Sequence, residues 1–175
     1  KGMLTGTAAA LGAFTIAAGA AGTQAASFQS QMQNVGTLLD GDVQGKLQGM
    51  SKQLKQVSID TGAATSDLTD GLYQVVSAFG ESAESVKQLE IAAKAAKAGN
   101  ATTTDSVNML SAVTKGYGDT SAAALQKASD LAFLTVKLGQ TSFPELASSM
   151  GQVVPLAATM KVSQEELFGA MATLT

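Results

Sequence analysis

Apolar residues recur at helical spacing along most of this chain. In the stretch SDLTDGLYQVVSAFG, residues 66–80, one helical face carries Leu68, Leu72, Val75, Val76 and Phe79. Alternating apolar and polar residues, which are typical of half-buried strands, are scarce, and the chain has only 2 prolines. The pattern therefore predicts an all-α protein without a β-sheet.

The second part of the chain contains a degenerate repeat with a period of about 38 residues. Residues 103–120 follow residues 65–82 at this offset, and the matching pairs are Leu72 with Leu110, Val75 with Val113, Phe79 with Tyr117, and Gly80 with Gly118. A third copy begins at the same offset, where Thr141 and Ser142 match Thr103 and Thr104. Each copy reads as two helices and a turn. Because one such hairpin cannot bury its apolar face alone, we expect the hairpins to stack.

Helix-capping residues define the expected helix ends. Ser and Thr side chains accept hydrogen bonds from the first backbone N–H groups of a helix. The predicted caps are Ser66, Thr104 and Ser142 for the first helices, and Ser82, Thr120 and Ser163 for the second helices. Capping boxes are predicted for Ser142 with Glu145 and for Ser163 with Glu166.

Two glycines and one proline predict where the first helix of each copy ends. Gly80 and Gly118 stand where a helix end in the left-handed conformation would come. In the third copy, Pro155 is expected to break the helix. On the second helix, the spacing predicts exposed ion pairs between Glu84 and Lys87 and between Glu90 and Lys94.

The first part of the chain is different, because no charged residue occurs from Gly2 to Leu39. A heptad count through this region predicts a long helix over residues 3–39 that associates with other copies or lies against another protein. The expected self-association stripe comprises Leu4, Leu11, Phe14, Phe28, Met32, Val35 and Leu39. Residues 3–22 are long enough for a membrane span, but Ala, Gly and Thr make them weakly hydrophobic, so a membrane span is the less favoured interpretation.

These patterns divide the chain into three predicted parts. Residues 1–40 form the long Ala- and Gly-rich helix, residues 41–64 a connecting helix, and residues 65–175 the helical-hairpin repeats. The chain starts at Lys1 and stops at Thr175 within an apolar pattern, so we expect it to be part of a longer polypeptide.

Composition excludes several classes of function. The chain has no His and no Cys, which removes the commonest general base and the usual zinc ligands, so we expect no enzyme, no cofactor and no metal site. In LDGDVQG, Asp40 and Asp42 have the alternation of a calcium loop, but Ser51 stands where that loop needs Glu. The net charge is −3 and all 11 basic residues are scattered Lys, which argues against sequence-specific binding of nucleic acid.

The order of segments resembles a known family. An uncharged Ala/Gly-rich helix precedes SFQSQMQNVGTLL, then LKQVSIDTGAATSDLTDGLYQVVSAFGES, and finally LGQTSFPELASSMGQVVPLAATMKVSQEELFGAMATLT. This order is similar to the core region of phage tail tape measure proteins of the TP901 type, over nearly the whole chain. The residues that match are Phe28, Met32, Val35, Gly80, Gly118, Pro155, Ser163, Glu165 and Glu166. The sequence departs from the family pattern at Gln29, where an acid is common, and at Phe79, where a smaller residue is common.

The resemblance implies a structural role in a virion. Such a protein lies in the lumen of the tail tube, sets tail length and leaves the tube ahead of the DNA, after assembly in the host cytoplasm. The implied partners are two further copies in a trimer, the tail tube, tail-tip or baseplate proteins, and the host membrane on ejection. Two other interpretations stay open: a helical-repeat binding module, and a membrane-inserting helical protein of a tail-like particle.

Overall fold

The computed structural model describes residues 21–175, with side chains from Ala26 onward. This part of the chain contains eight α-helices and no strand, which confirms the all-α prediction. The helices are α1 (Ala21–Gly36), α2 (Val43–Thr61), α3 (Thr65–Phe79), α4 (Ser85–Gly99), α5 (Thr103–Gly116), α6 (Ala122–Leu138), α7 (Phe143–Thr159) and α8 (Gln164–Leu174).

The helices form two layers. The odd-numbered helices pack in series, α1 on α3, α3 on α5 and α5 on α7, and the even-numbered helices do the same from α2 to α8. Within the first three pairs of successive helices, α1–α2, α3–α4 and α5–α6, the two helices also pack on each other. Helices α7 and α8 continue the two layers as a fourth pair, in which α8 packs on α6 rather than on α7. The predicted division at residue 64 falls in the turn between α2 and α3, yet α1 and α2 share one continuous core with the later helices.

The apolar face predicted for α3 lies in this core. Leu68, Leu72 and Val75 are completely buried, Val76 is almost so, and Phe79 packs against the core from its edge. The repeat partners Leu110 and Val113 are likewise fully buried in α5. These equivalent apolar positions of the first two copies therefore have the same structural role, as buried core residues.

Glycines end the first helices of the first two copies, as predicted. Gly80 follows α3 with φ 80° and Gly118 follows α5 with φ 78°. A side chain at either position would strain the backbone, because L-residues rarely adopt positive φ. No continuous helix passes through either glycine.

Several predicted caps are wrong by one or two residues. Ala64 occupies the N-cap position of α3 without a side-chain bond, and Thr102, not Thr104, caps α5 by accepting from the N–H of Asp105. Ser121, not Thr120, caps α6. Ser66 and Thr104 lie within the first turns of their helices, where the backbone is already helical and a side chain cannot act as an N-cap.

At α4, Glu84 takes the N-cap position. The predicted cap, Ser82, lies two residues earlier and accepts the N–H of Glu84 at 3.2 Å. The predictions for α7 and α8 are confirmed, including both capping boxes, Ser142 with Glu145 and Ser163 with Glu166.

The third copy departs from the predicted register. Its cap Ser142 corresponds to Thr102, so α5 and α7 are offset by 40 residues rather than 38. Helix α7 also continues through Pro155, contrary to the predicted break. Pro155 cannot donate to the carbonyl of Gly151, but both residues are exposed, so water can bond that carbonyl and the cost of the proline is reduced.

One of the two predicted ion pairs is present. Glu90 accepts from Lys94 at 2.5 Å, and it also accepts from Lys87 at 3.0 Å. Lys87 thus pairs with Glu90 rather than with Glu84, whose carboxylate reaches the next helix pair instead. The hydrogen bond from Lys94, followed by that from Lys87, holds the pKa of Glu90 below its usual range.

Candidate interaction surfaces

The predicted self-association stripe divides into two groups. Met32 and Val35 of α1, and Leu39 just after it, are buried in the core of the chain itself, and Phe28 packs against that core while partly exposed. The other three residues, Leu4, Leu11 and Phe14, lie outside the described residues. The described residues of the stripe thus pack against other helices of the same chain. Self-association through Leu4, Leu11 and Phe14 stays a prediction.

Polar contacts join every pair of helices to the next. At the first junction, Lys46 of α2 pairs with Glu81 at 2.7 Å. At the third junction, Lys127 of α6 pairs with Glu165 of α8 at 2.7 Å, and the Thr135 hydroxyl donates to the carbonyl of Phe168 at 3.1 Å. The two ion pairs are partly exposed and contribute little to stability individually, but each of them connects one helix pair to the next.

At the second junction, acidic side chains of one pair meet helix N-termini of the next. The Asp67 carboxylate in α3 accepts the backbone N–H of Thr103 at 3.2 Å and also the Thr103 hydroxyl. The Glu84 carboxylate accepts the N–H of Ala122, the first residue of α6, at 3.2 Å. An acid at a helix N-terminus bonds an otherwise unpaired N–H and interacts favourably with the helix dipole. These contacts hold the second and third pairs together.

The acids at equivalent positions of the first two copies, directly after Gly80 and Gly118, have different roles. Glu81 forms the ion pair with Lys46, whereas Asp119 accepts the N–H of Ser121 at 3.0 Å within its own turn. That backbone hydrogen bond, together with the Ser121 hydroxyl, lowers the pKa of Asp119. The sequence match thus marks a turn and not a shared binding site.

An open polar groove runs between α1 and α3. Its lining includes Gln31 and Asn34 of α1 and Asp70, Tyr73 and Gln74 of α3. The Gln31 Oε1 atom is buried and accepts no hydrogen bond within the described part of the chain. Amide and hydroxyl groups dominate this surface, so it can exchange hydrogen bonds with a partner but has no constellation typical of catalysis.

Exposed apolar residues cluster on the last helices. Leu134 and Leu138 of α6, Leu156 of α7, Met160 just after α7, and Leu174 of α8 are at least half exposed. The fully buried Ala132 of α6 corresponds to Leu174 when the two helices are aligned at their caps, Ser121 and Ser163. At this position, α8 is therefore exposed where α6 is buried.

Two kinds of site are absent from residues 21–175, a metal-binding cluster and a membrane-spanning helix. No group of three or more His, Cys, Asp or Glu side chains there is arranged to hold a metal ion. Within the same range, no helix has both the length and the apolar character needed to cross a membrane. Residues 3–22, where the sequence suggested a possible span, lie almost entirely outside this range.

Sequence reasoning missed the contacts between helix pairs. The sequence predicts no partner for Asp67 and pairs Glu84 with Lys87 on an exposed face, because the groups that these two acids bind are 36 and 38 residues away. The available signal in the sequence was that an acidic residue occurs about one repeat length before the start of a later helix. It identifies these residues only once the stacking order of the helices is known.

Comparisons with known proteins place the chain in a family. Residues 51–175 match the family model described as phage-related minor tail protein. No curated protein and no solved structure matches the chain. The matched range covers α3 to α8 completely and most of α2, so the family corresponds to the stacked helix pairs. The chain belongs to the family of phage-related minor tail proteins, structural components of the virion.

Proposed function

We propose that this chain is a segment of a tape measure protein, which sets the length of a phage tail from within the tail tube and leaves the tube ahead of the DNA. The observation that carries the proposal is the family match over residues 51–175. The ordered resemblance to tape measure proteins of the TP901 type, described above, narrows the tail role to this component.

The described structure is consistent with such a role. The parts of a tape measure protein that set length would do so as continuous helices, which convert residue number to length at about 1.5 Å per residue, and an all-α segment fits within such a protein. It needs no catalytic group, and the polar side chains at the junctions are engaged in holding helices together.

The partners of such a protein are the tail tube, the tail tip or baseplate, and further copies of itself. We propose that copies meet along Leu4, Leu11 and Phe14, in a trimer within a tube of hexameric rings, with the exposed part of Phe28 at its end. Met32 is only 4% exposed, so a charged substitution there would disrupt the monomer. Leu4 and Leu11 are the better sites for a test.

Sedimentation of the purified chain tests self-association. We expect a trimer at micromolar concentration, and a monomer when both Leu4 and Leu11 are changed to Glu. The helical circular dichroism of the stacked pairs should be unchanged in this variant. A wild-type chain that sediments as a monomer contradicts the proposed assembly.

Tail length tests the proposed function directly. Uninterrupted helix-forming inserts of 35 and 70 residues, made of EAAAK units, would be placed after Thr175 in the phage's own coding sequence. At about 1.5 Å per residue, tails should lengthen by roughly 50 and 100 Å. Tails that assemble at the original length with both inserts would contradict the proposal.

A further inference from the structure

The stacked helix pairs are short for the number of residues they contain. Packed helices lie roughly 8–10 Å apart, so four pairs extend about 40 Å along the stacking direction. A continuous helix over residues 21–175 would be about 230 Å long. The folded segment would therefore contribute only a small fraction of the length that the same residues could measure.

Local structure opposes conversion to a continuous helix. Gly80 and Gly118 each have positive φ and end a helix, and Gly62 does the same after α2 with φ 68°. After Gly118, α6 begins with N-terminal contacts of its own, from the Ser121 hydroxyl and the Glu84 carboxylate. The interruptions are thus built into the chain after α2, α3 and α5.

Burial opposes the conversion more strongly. Leu72 of α3, Leu110 of α5 and Met150 of α7 are all fully buried. In one extended helix these side chains would lie far apart along its axis, and the packing of α3 on α5 and of α5 on α7 would be lost. The bonds from Asp67 to Thr103 and from Thr135 to Phe168 would break as well.

We infer that residues 21–175 remain a folded body in the assembled tail and add a fixed, short length, so that their number is not counted in the length of the tail. The inference rests on the proposed tape measure function, and it assigns this segment a role other than measuring. Within the tail, the stacked pairs act as a folded block on the measuring protein.

Excision of one helix pair distinguishes the two geometries. Removal of residues 65–102 from the full chain in the phage joins Ala64 to Thr103, which recreates the Ala64–Thr65 junction because both helices begin with Thr. A folded stack loses one helix pair, so the length of the tail should change by at most about 10 Å. Shortening by about 57 Å, the length of 38 helical residues, would overturn the inference.

A cross-link decides the question if the excised chain does not fold. A Cβ built on Gly116 of α5 lies 3.8 Å from the Cβ of Val154 of α7. This separation is typical of disulfides, and the chain contains no other Cys. The Gly116→Cys, Val154→Cys chain, oxidised before assembly, should build tails of wild-type length. The same double-Cys chain kept reduced is the matched control, because Gly116→Cys alone would place a Cβ 2.4 Å from the Val154 Cγ1 atom.

Extension of this segment would produce the opposite result. Residues 116 and 154 would be separated by about 57 Å in a continuous helix. A disulfide between them makes that separation impossible. If the oxidised chain builds tails only after reduction, or builds shorter tails, the inference is wrong.

The insert series separates this inference from the proposed function. Tails that lengthen with the inserts after Thr175 and keep their length in both the excised and the cross-linked chains support both proposals. Tails that lengthen with the inserts but shorten by about 57 Å on excision overturn only the folded block. Tails whose length does not change with the inserts overturn the proposed measuring role, and the inference that depends on it is overturned as well.

Discussion

The close approach of α3 and α5 makes a quantitative prediction at Gly71. A Cβ added to Gly71 would lie 2.5 Å from the Thr103 Cγ2 methyl and 3.0 Å from the Leu89 Cδ1 atom. Thr103 is fully buried and is bound through its hydroxyl and N–H to Asp67, so it cannot move aside easily. Gly71→Ala should therefore force the two helices apart.

The expected effect follows from two opposing contributions. Overpacking a core usually costs about 1–3 kcal/mol, while replacing a helical Gly by Ala gains about 1 kcal/mol in helix propensity. Gly71→Ala should therefore lower the free energy of unfolding by up to about 2 kcal/mol. For a chain of this size, that corresponds to a fall in Tm of up to roughly 8 °C.

Two further variants control the interpretation. Gly49 lies within α2 with no atom within 4 Å of an added Cβ, so Gly49→Ala should raise the free energy of unfolding by about 0.5–1 kcal/mol. Thr103→Ser removes the opposing methyl group and keeps the hydroxyl that binds Asp67. Combined with Gly71→Ala, it should recover part of the loss, with a coupling energy of at least about 0.5 kcal/mol.

Urea unfolding followed by circular dichroism measures the wild-type chain and four variants: Gly71→Ala, Gly49→Ala, Thr103→Ser and the combination of Gly71→Ala with Thr103→Ser. The close approach of α3 and α5 is refuted if Gly71→Ala stabilises the protein as much as Gly49→Ala does. It is also refuted if Thr103→Ser gives the Gly71→Ala chain no recovery.

Two more predictions concern helix ends and the interior proline. Pro155→Ala should raise the free energy of unfolding by about 1–3 kcal/mol, since the helix already continues through this exposed position and would regain one hydrogen bond; an unchanged urea midpoint would contradict this. Hydrogen bonds from the N–H and hydroxyl of Ser163 lower the pKa of Glu166. Because the folded-state pKa is the lower one, this bond stabilises the fold above the ordinary pKa of Glu, about 4.3, and the stabilisation is lost as the pH falls through the lowered value. Ser163→Ala should cost about 1 kcal/mol at neutral pH and weaken the acid dependence of Tm, whereas an identical dependence in both chains would show that the capping box does not contribute to it.

The sequence predicted those features that depend on local spacing. The buried face of α3, from Leu68 to Val76, follows from helical periodicity alone, and Gly80 marks its end because few other residues adopt positive φ. The caps were harder to assign. Thr102, Thr103 and Thr104 are adjacent candidates for one cap, and the choice depends on where the backbone turns into the helix.

Features that depend on the surroundings could not be predicted in the same way. The stripe through Met32 and Val35 has the same spacing whether it packs on another copy or on the chain's own helices, and over α1 the periods of 3.5 and 3.6 differ too little to decide. The continuation of α7 through Pro155 depends on the exposure of Gly151, which only the packed structure shows. The partners of Asp67 and Glu84 likewise follow from the stacking of the helix pairs.

A single distance tests the central claim, the side-by-side stacking of the helix pairs. Ser77 of α3 and Gln152 of α7 are exposed, and since the chain has no native Cys, spin labels on introduced cysteines would report on these two positions alone. Two packing steps of roughly 8–10 Å predict a label separation of about 20–30 Å by pulsed dipolar spectroscopy. A separation near 110 Å would follow if residues 77–152 formed one continuous helix, so a spectrum without any component below about 60 Å would contradict the stacked fold.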